Sequence, residues 1–130
     1  MRTATVSIET ETEGRDILKL LSDPTLIPDW AKAFADSVDY VSGSWTAKKD
    51  GRTFSLRLVV NGESGTVDYL REVAPGIEGG AFIRVMPRPR GGTVIVITIP
   101  VGSGDTASSV KVLETELAAL CDLARRSAGS

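Results

Sequence analysis

Between residues 38 and 101 one strand-like segment follows another with only short turns between them, and this feature most limits what the chain can become. RTFSLRLVV (52–60) puts Phe54, Leu56, Leu58 and Val60 on one face and Thr53, Ser55 and Arg57 on the other, the period-two pattern of a half-buried strand. VDYVSGSWTAKK (38–49), GTVDYLREV (65–73), IEGGAFIRVMP (77–87) and TVIVITIPV (93–101) are strand-like too. Asp50-Gly51 and Asn61-Gly62 are two-residue hairpin signals. Ala74-Pro75-Gly76 and the Arg90-Gly91-Gly92 stretch close the next two segments. Turns this short join antiparallel neighbours, so these five strands form a meander.

The remaining elements flank it. TATVSIETET (3–12) alternates with Ala4, Val6 and Ile8 on one face, which predicts a further strand ending near Gly14. RDILKLLSD follows as a short amphipathic helix through Ile17, Leu18, Leu20 and Leu21. Asp23 precedes Pro24 and is pushed out of helical geometry, so that helix stops there. Proline suits a first helical turn, so Pro24 and Pro28 each open a new one, and DWAKAFADS continues as a second helix to about Asp36. The last element, roughly 106–127, is a long helix that Asp105 or Thr106 caps. Val110, Leu113, Leu117, Leu120, Cys121 and Ala124 form its apolar stripe, and Arg125 and Arg126 complement its dipole.

A single rod cannot cover such a sheet. Six strands about 4.8 Å apart span on the order of 29 Å, whereas a helix with its side chains is about 10–12 Å across. The sheet must curl around the helix, and Gly43, Gly62, Gly65, Gly79 and Gly80 permit the bends and bulges this needs. Large residues are scarce, with two Trp, two Tyr and three Phe, so space remains between sheet and helix. The proline breaks turn the chain through a tight corner whose two short helices close one end of the cleft. Trp30 plugs that corner or lines the pocket mouth.

In its order of elements the chain resembles the START-related, polyketide-cyclase-like superfamily (SRPBCC) with its helix-grip fold. The resemblance rests on TVSIETE, LLSDPTLIPDW, VAPGIEGGAFIRV and the long helix after TVIVITIPV. It covers essentially the whole chain, and only the D-P-x-x-x-P-x-W region has motif character. It implies a single α+β domain over residues 1–130, with a curved antiparallel sheet of six or seven strands around a long C-terminal helix and two short helices after the first strand. It also implies an internal cavity for a lipid, isoprenoid or aromatic polyketide-like molecule.

The residues expected at that cavity are Trp30, Phe34, Trp45, Phe54, Leu58, Tyr69, Ile83, Arg84, Ile97, Leu113, Leu117 and Cys121. For Trp45 and Tyr69 ordinary core packing is the competing reading. Trp45 shares a face with Val41 and Ala47, with Tyr40 on the other side, and Tyr69 shares one with Val67 and Val73. The phase of IEGGAFIRV stays open: either Ala81, Ile83 and Val85 face inward, or Phe82, Arg84 and Met86 do, and a bulge at Gly79-Gly80 would switch them. An inward Arg84 needs a partner such as Glu72 or Asp68, because a buried unpaired charge is costly. Arg71, near a strand end, snorkels to water. Cys121 is a small core residue rather than a nucleophile.

Other chemistries find little support. The chain has no histidine, which removes a common base and metal ligand and the usual Ser-His-Asp and Cys-His arrangements. Asp39, Asp68, Glu72 and Glu78 have no spacing that pairs them as acid and base. GSGD (102–105) matches no nucleotide fingerprint. No cofactor and no metal is expected. With a net charge of −2, and with Arg84, Arg88 and Arg90 read as a solvated strand end and turn, no nucleic-acid partner is expected either. The start MRTATVSIET is neither signal peptide nor anchor, VIVITIP is too short to span a bilayer, and one cysteine excludes an internal disulfide, which together favour the cytoplasm. The expected function is binding of a small hydrophobic molecule. A cyclase or aromatase without histidine and a protein-interaction module are the alternatives, and a homodimer is a possible assembly.

Overall fold

Alternation of apolar and polar residues carries through into a single curved sheet. The computed structural model describes residues 2–102 and 105–128, without the side chains of Val73, Ala74, Ile77, Glu78 and Ala128. In chain order the elements are β1 (Arg2–Thr10), α1 (Gly14–Leu21), a 3-10 turn (Pro24–Leu26), α2 (Ile27–Trp30), β2 (Ser37–Val41), β3 (Ser44–Lys49), β4 (Arg52–Asn61), β5 (Thr66–Ala74), β6 (Ile77–Pro87), β7 (Thr93–Val101) and α3 (Thr106–Ala128). Among the described residues the sheet has seven strands in the order β1-β7-β6-β5-β4-β3-β2, and the pairs are antiparallel. The meander from β2 to β7 is closed by β1, which pairs with β7 from Arg2↔Val101 to Thr10↔Thr93. This is the curled sheet and long helix of the helix-grip arrangement.

Four local features differ from the sequence reading. Residues 38–49 are two strands, because Ser42 and Gly43 take φ values of 51° and 82° and form a second hairpin turn like that at Asp50 and Gly51. Tyr40 then stands opposite Trp45, with ring centroids 4.8 Å apart, so these two share a face and Val41 takes the other. The Asn61-Gly62 signal opens a four-residue loop, since Asn61 pairs with Thr66 and its side-chain oxygen accepts from the amides of Glu63 and Ser64. The register shift falls between Glu72 and Ala74 rather than at Gly79-Gly80. It leaves Ala81, Ile83 and Val85 buried and turns Phe82, Arg84 and Met86 outward. The expectations placed on the side chains of Val73 and Glu78, and on Ser103 and Gly104, fall outside the described residues.

The helical corner is tighter than the hydrophobic pattern implied. Pro24 opens the 3-10 turn and Pro28 lies in the first turn of α2, as their chemistry requires. α2 stops at Trp30 instead of continuing to Asp36, because Ala31 leaves helical geometry (φ −134°, ψ 59°). The segment that follows is held by the neighbouring hairpin. The Asp36 carboxylate accepts from the Asp50 amide at 2.9 Å and from Lys49 Nζ at 3.3 Å, and these bonds hold its carboxyl below the usual range.

α3 begins on a capped turn. Asp105 accepts from the Ala107 amide and the Ser108 hydroxyl, each at 2.9 Å. Leu113, Leu117, Leu120 and Ala124 are buried along one stripe, which packs chiefly on β1, α1 and α2 and much less on β7. The helix therefore lies toward the β1 edge, and β5 and β6 are left to face open space.

Gly65 illustrates how closely the strands are fitted. Its φ is +69°, its carbonyl accepts from the Val85 amide at 2.7 Å, and a Cβ there would stand 2.1 Å from the Val85 carbonyl oxygen. Gly65→Ala should lower the free energy of unfolding by about 2 kcal/mol or more, since a strained backbone alone costs about 1–3 kcal/mol. Urea titration checks this, and a loss below about 0.5 kcal/mol would contradict the close approach.

Candidate functional site

The open space is a cavity of about 570 Å3. Its floor is Tyr69 and Arg71 of β5, Gly79 to Ala81 of β6, and Ile97, Ile99 and Pro100 of β7. Ser108, Ser109, Val112, Leu113 and Glu116 of α3 form its roof. The end wall is Ile27, Trp30, Ala31, Ala33 and Phe34. Strand register explains the room inside. Tyr69 pairs with Ala81 and Arg71 with Gly79, so each large side chain of β5 faces a small neighbour on β6.

Tyr69 joins the sheet to the corner. α1 ends at Leu21, and Pro24 cannot offer an amide proton to that helix's last carbonyls. The Tyr69 hydroxyl donates to the Leu21 carbonyl at 2.5 Å instead. Burial, and then the charge of Asp23, push the phenol above its usual value, so it stays neutral and donating. Its ring stands 6.4 Å from that of Trp30 and 6.2 Å from that of Phe34.

Arg71 is half-buried. Its guanidinium carbon lies 5.3 Å from the centre of the Phe34 ring and 5.2 Å from that of Phe54, within cation–π range of both. Phe34 and Phe54 meet edge to face at 6.0 Å. The strand's alternation turns Arg71 to the same face as Tyr69, and the two rings replace the hydration it gives up. Its Nε is buried and unbonded among the described residues.

Glu116 escaped the sequence reading altogether. It is buried at 8% exposure, lines the cavity, and its Oε2 has no partner among the described residues. Burial lifts its carboxyl to about 7. The signal was present: Glu116 stands three residues after Leu113 and four before Leu120, inside the apolar stripe. Trp30, at 4% exposure, also carries an unbonded polar atom, Nε1. Both residues also line a second hollow of about 420 Å3, rimmed by Asp29, Lys32 and Lys111.

Of the residues expected at the cavity, Trp30, Phe34, Tyr69, Ile97 and Leu113 line it. Phe54 stands behind it, under Arg71. Trp45 and Leu58 line a separate open groove of about 630 Å3 over β3, β4 and β5. Ile83 and Leu117 are fully buried in the core. Cys121 is half-buried, and burial raises its thiol despite a bond with Thr10. Arg84 is exposed, because the register of β6 turns it outward. Arg88 pairs with Glu11 at 3.0 Å and donates to the Gly91 carbonyl at 2.8 Å, holding a turn. Asp39 is exposed, Asp68 half-buried on the outer face, and Glu72 accepts from the Gly76 amide at 2.7 Å. No group of three or more His, Cys, Asp or Glu side chains that could hold a metal ion occurs among the described residues, and no helix is long and apolar enough to cross a membrane.

The Glu116 carboxyl has an ordinary value of 4.5 and a folded value of about 7, so between them the folded state binds more protons than the unfolded state. Its contribution to stability is therefore greatest below the lower value, declines as pH rises toward 7, and is level above it. Glu116→Gln removes this decline. Urea titrations should show the variant gaining on the wild type from pH 5 to pH 8, and a constant difference would contradict the burial of an ionisable group.

No protein-family model and no curated protein matches this sequence. Solved structures do. The chain is similar to the Zhui aromatase/cyclase from Streptomyces sp. R1128, with a TM-score of 0.66 and 15% identity over 96% of this chain and 94% of that one. It is similar to a START superfamily protein from Mycobacterium smegmatis, with a TM-score of 0.63 and 13% identity over 95% and 97%. The Aha1 dimer from Colwellia psychrerythraea superposes with a TM-score of 0.70 at 13% identity over 94% and 95%. With these neighbours, the seven-stranded sheet and its long C-terminal helix identify the fold as the START-like, polyketide-cyclase-like helix-grip fold.

Proposed function

We propose that this protein binds a small, mostly apolar molecule in the cavity between β5–β7 and α3. The observation that carries the reading is the cavity itself: about 570 Å3, walled mostly by carbon, with a few polar groups converging on it. Small-molecule sites have this size and make-up. Arg71 supplies the clearest anchor, a half-buried charged donor within cation–π reach of two rings. An oxygen of the bound molecule would accept from its free Nε–H.

A second reading is an enzyme of the cyclase or aromatase type. The placement of Arg71 and Glu116 on one cavity favours it, since such groups can hold a reactive carbonyl chain and move a proton while the walls fix its shape. Conversion of a bound poly-β-ketone to a cyclic product, lost in Glu116→Gln, would distinguish catalysis from storage. The dimeric neighbour and the exposed Val59 and Phe82 on the outer face fit a homodimer that leaves the cavity free. The lone cysteine fits a reducing compartment such as the cytoplasm.

Leu117 lies in the core, so filling the cavity requires other positions. Ala81→Phe, on the floor, and Val112→Trp, on the rim of α3, should each weaken binding of the uncharged dye N-phenyl-1-naphthylamine by about tenfold or more. Circular dichroism should show both still folded. Unchanged dye affinity in both variants would place the binding site elsewhere.

A further inference from the structure

Trp30 in the end wall of the cavity and Glu116 in its roof each carry a buried polar atom that is unbonded among the described residues, Nε1 and Oε2. Both residues are more than nine-tenths buried, at 4% and 8% exposure. Orphans this deep are uncommon in folded proteins. Their chemistry is complementary. An indole N–H only donates, and a carboxylate oxygen only accepts. A group that serves both must accept one hydrogen bond and donate another.

We propose that Trp30 and Glu116 form a hydroxyl-binding subsite, so that the cavity selects mostly apolar alcohols or phenols. The hydroxyl oxygen accepts from Trp30 Nε1–H, and its proton is donated to Glu116 Oε2. Other simple groups leave one partner unsatisfied. A ketone or an ether only accepts, and an ammonium group only donates. A carboxylate only accepts, and it would repel the ionised Glu116. The selectivity comes from what is left behind: a molecule without the hydroxyl strands two buried polar groups, which is why sites built to hydrogen-bond a substrate hydroxyl reject the analogue lacking it. This inference rests on the cavity being a binding site and adds the class of molecule it takes.

The test compares 2-naphthol with 2-methylnaphthalene, which puts a methyl group where the hydroxyl was. Both are titrated at pH 8, where the Glu116 carboxyl is ionised and only accepts, into the intact protein and followed by fluorescence. The wild type should bind 2-naphthol about tenfold or more tightly than 2-methylnaphthalene. Glu116→Leu and Trp30→Phe should each cut that ratio to about threefold or less. Glu116→Gln, which keeps an acceptor oxygen, should retain most of it and covers the case in which the leucine variant fails to fold. If both compounds bind the wild type equally, or the ratio persists in Glu116→Leu and Trp30→Phe, the hydroxyl subsite is wrong and the cavity reading stands. If neither compound binds the wild type, the cavity reading fails and the subsite with it.

Discussion

A difference in width governs this molecule. Seven strands spaced by about 4.8 Å are far broader than one helix of about 10–12 Å, and among the described residues only one long helix is available. Curvature removes part of the mismatch. Placing α3 toward β1 and the short helices removes another part, by giving the helix a fully covered stripe at Leu113, Leu117 and Leu120. What cannot be removed is the space over β5 and β6. The cavity is the remainder of that geometry, in the place where the pairing of Tyr69 with Ala81 and Arg71 with Gly79 leaves the floor low.

The polar groups around this space share an origin. Each is a side chain that a strand or helix period turns inward, where water is scarce, and each finds a different substitute for hydration. Tyr69 takes the carbonyl that the proline break deprives of a helical partner. Arg71 rests on the faces of Phe34 and Phe54. Glu116 has neither, and its carboxyl moves toward its neutral form. The three run from a satisfied phenol, through a guanidinium near two rings, to a carboxyl unpaired among the described residues.

Much of this was legible in the residues. The alternation of RTFSLRLVV and TVIVITIPV, the Asp50-Gly51 turn and the two prolines led to the sheet and its corner because each acts through local sterics and burial. Losses came where distant contacts outvote local pattern. Ser42 in left-handed geometry is unusual for a residue other than glycine, so the β2–β3 hairpin went unread and Tyr40 was put on the wrong face. Ala31 to Asp36 has helical composition, yet the bonds from Asp50 and Lys49 pull it straight. Arg71 looked like a snorkelling side chain because Phe34 and Phe54, distant in sequence, could not be seen as its neighbours. Glu116 was passed over because charged residues in amphipathic helices usually face water.

The end wall and floor of the cavity include Ala31, Ala33 and Ala81. Each stops at its β-carbon on a backbone already fixed by strand pairing or by the corner. The capacity of the compartment is therefore set by what these positions lack rather than by where the frame runs. A lineage carrying this fold could resize that space one carbon at a time, through point changes at three sites, while the scaffold stays where it is.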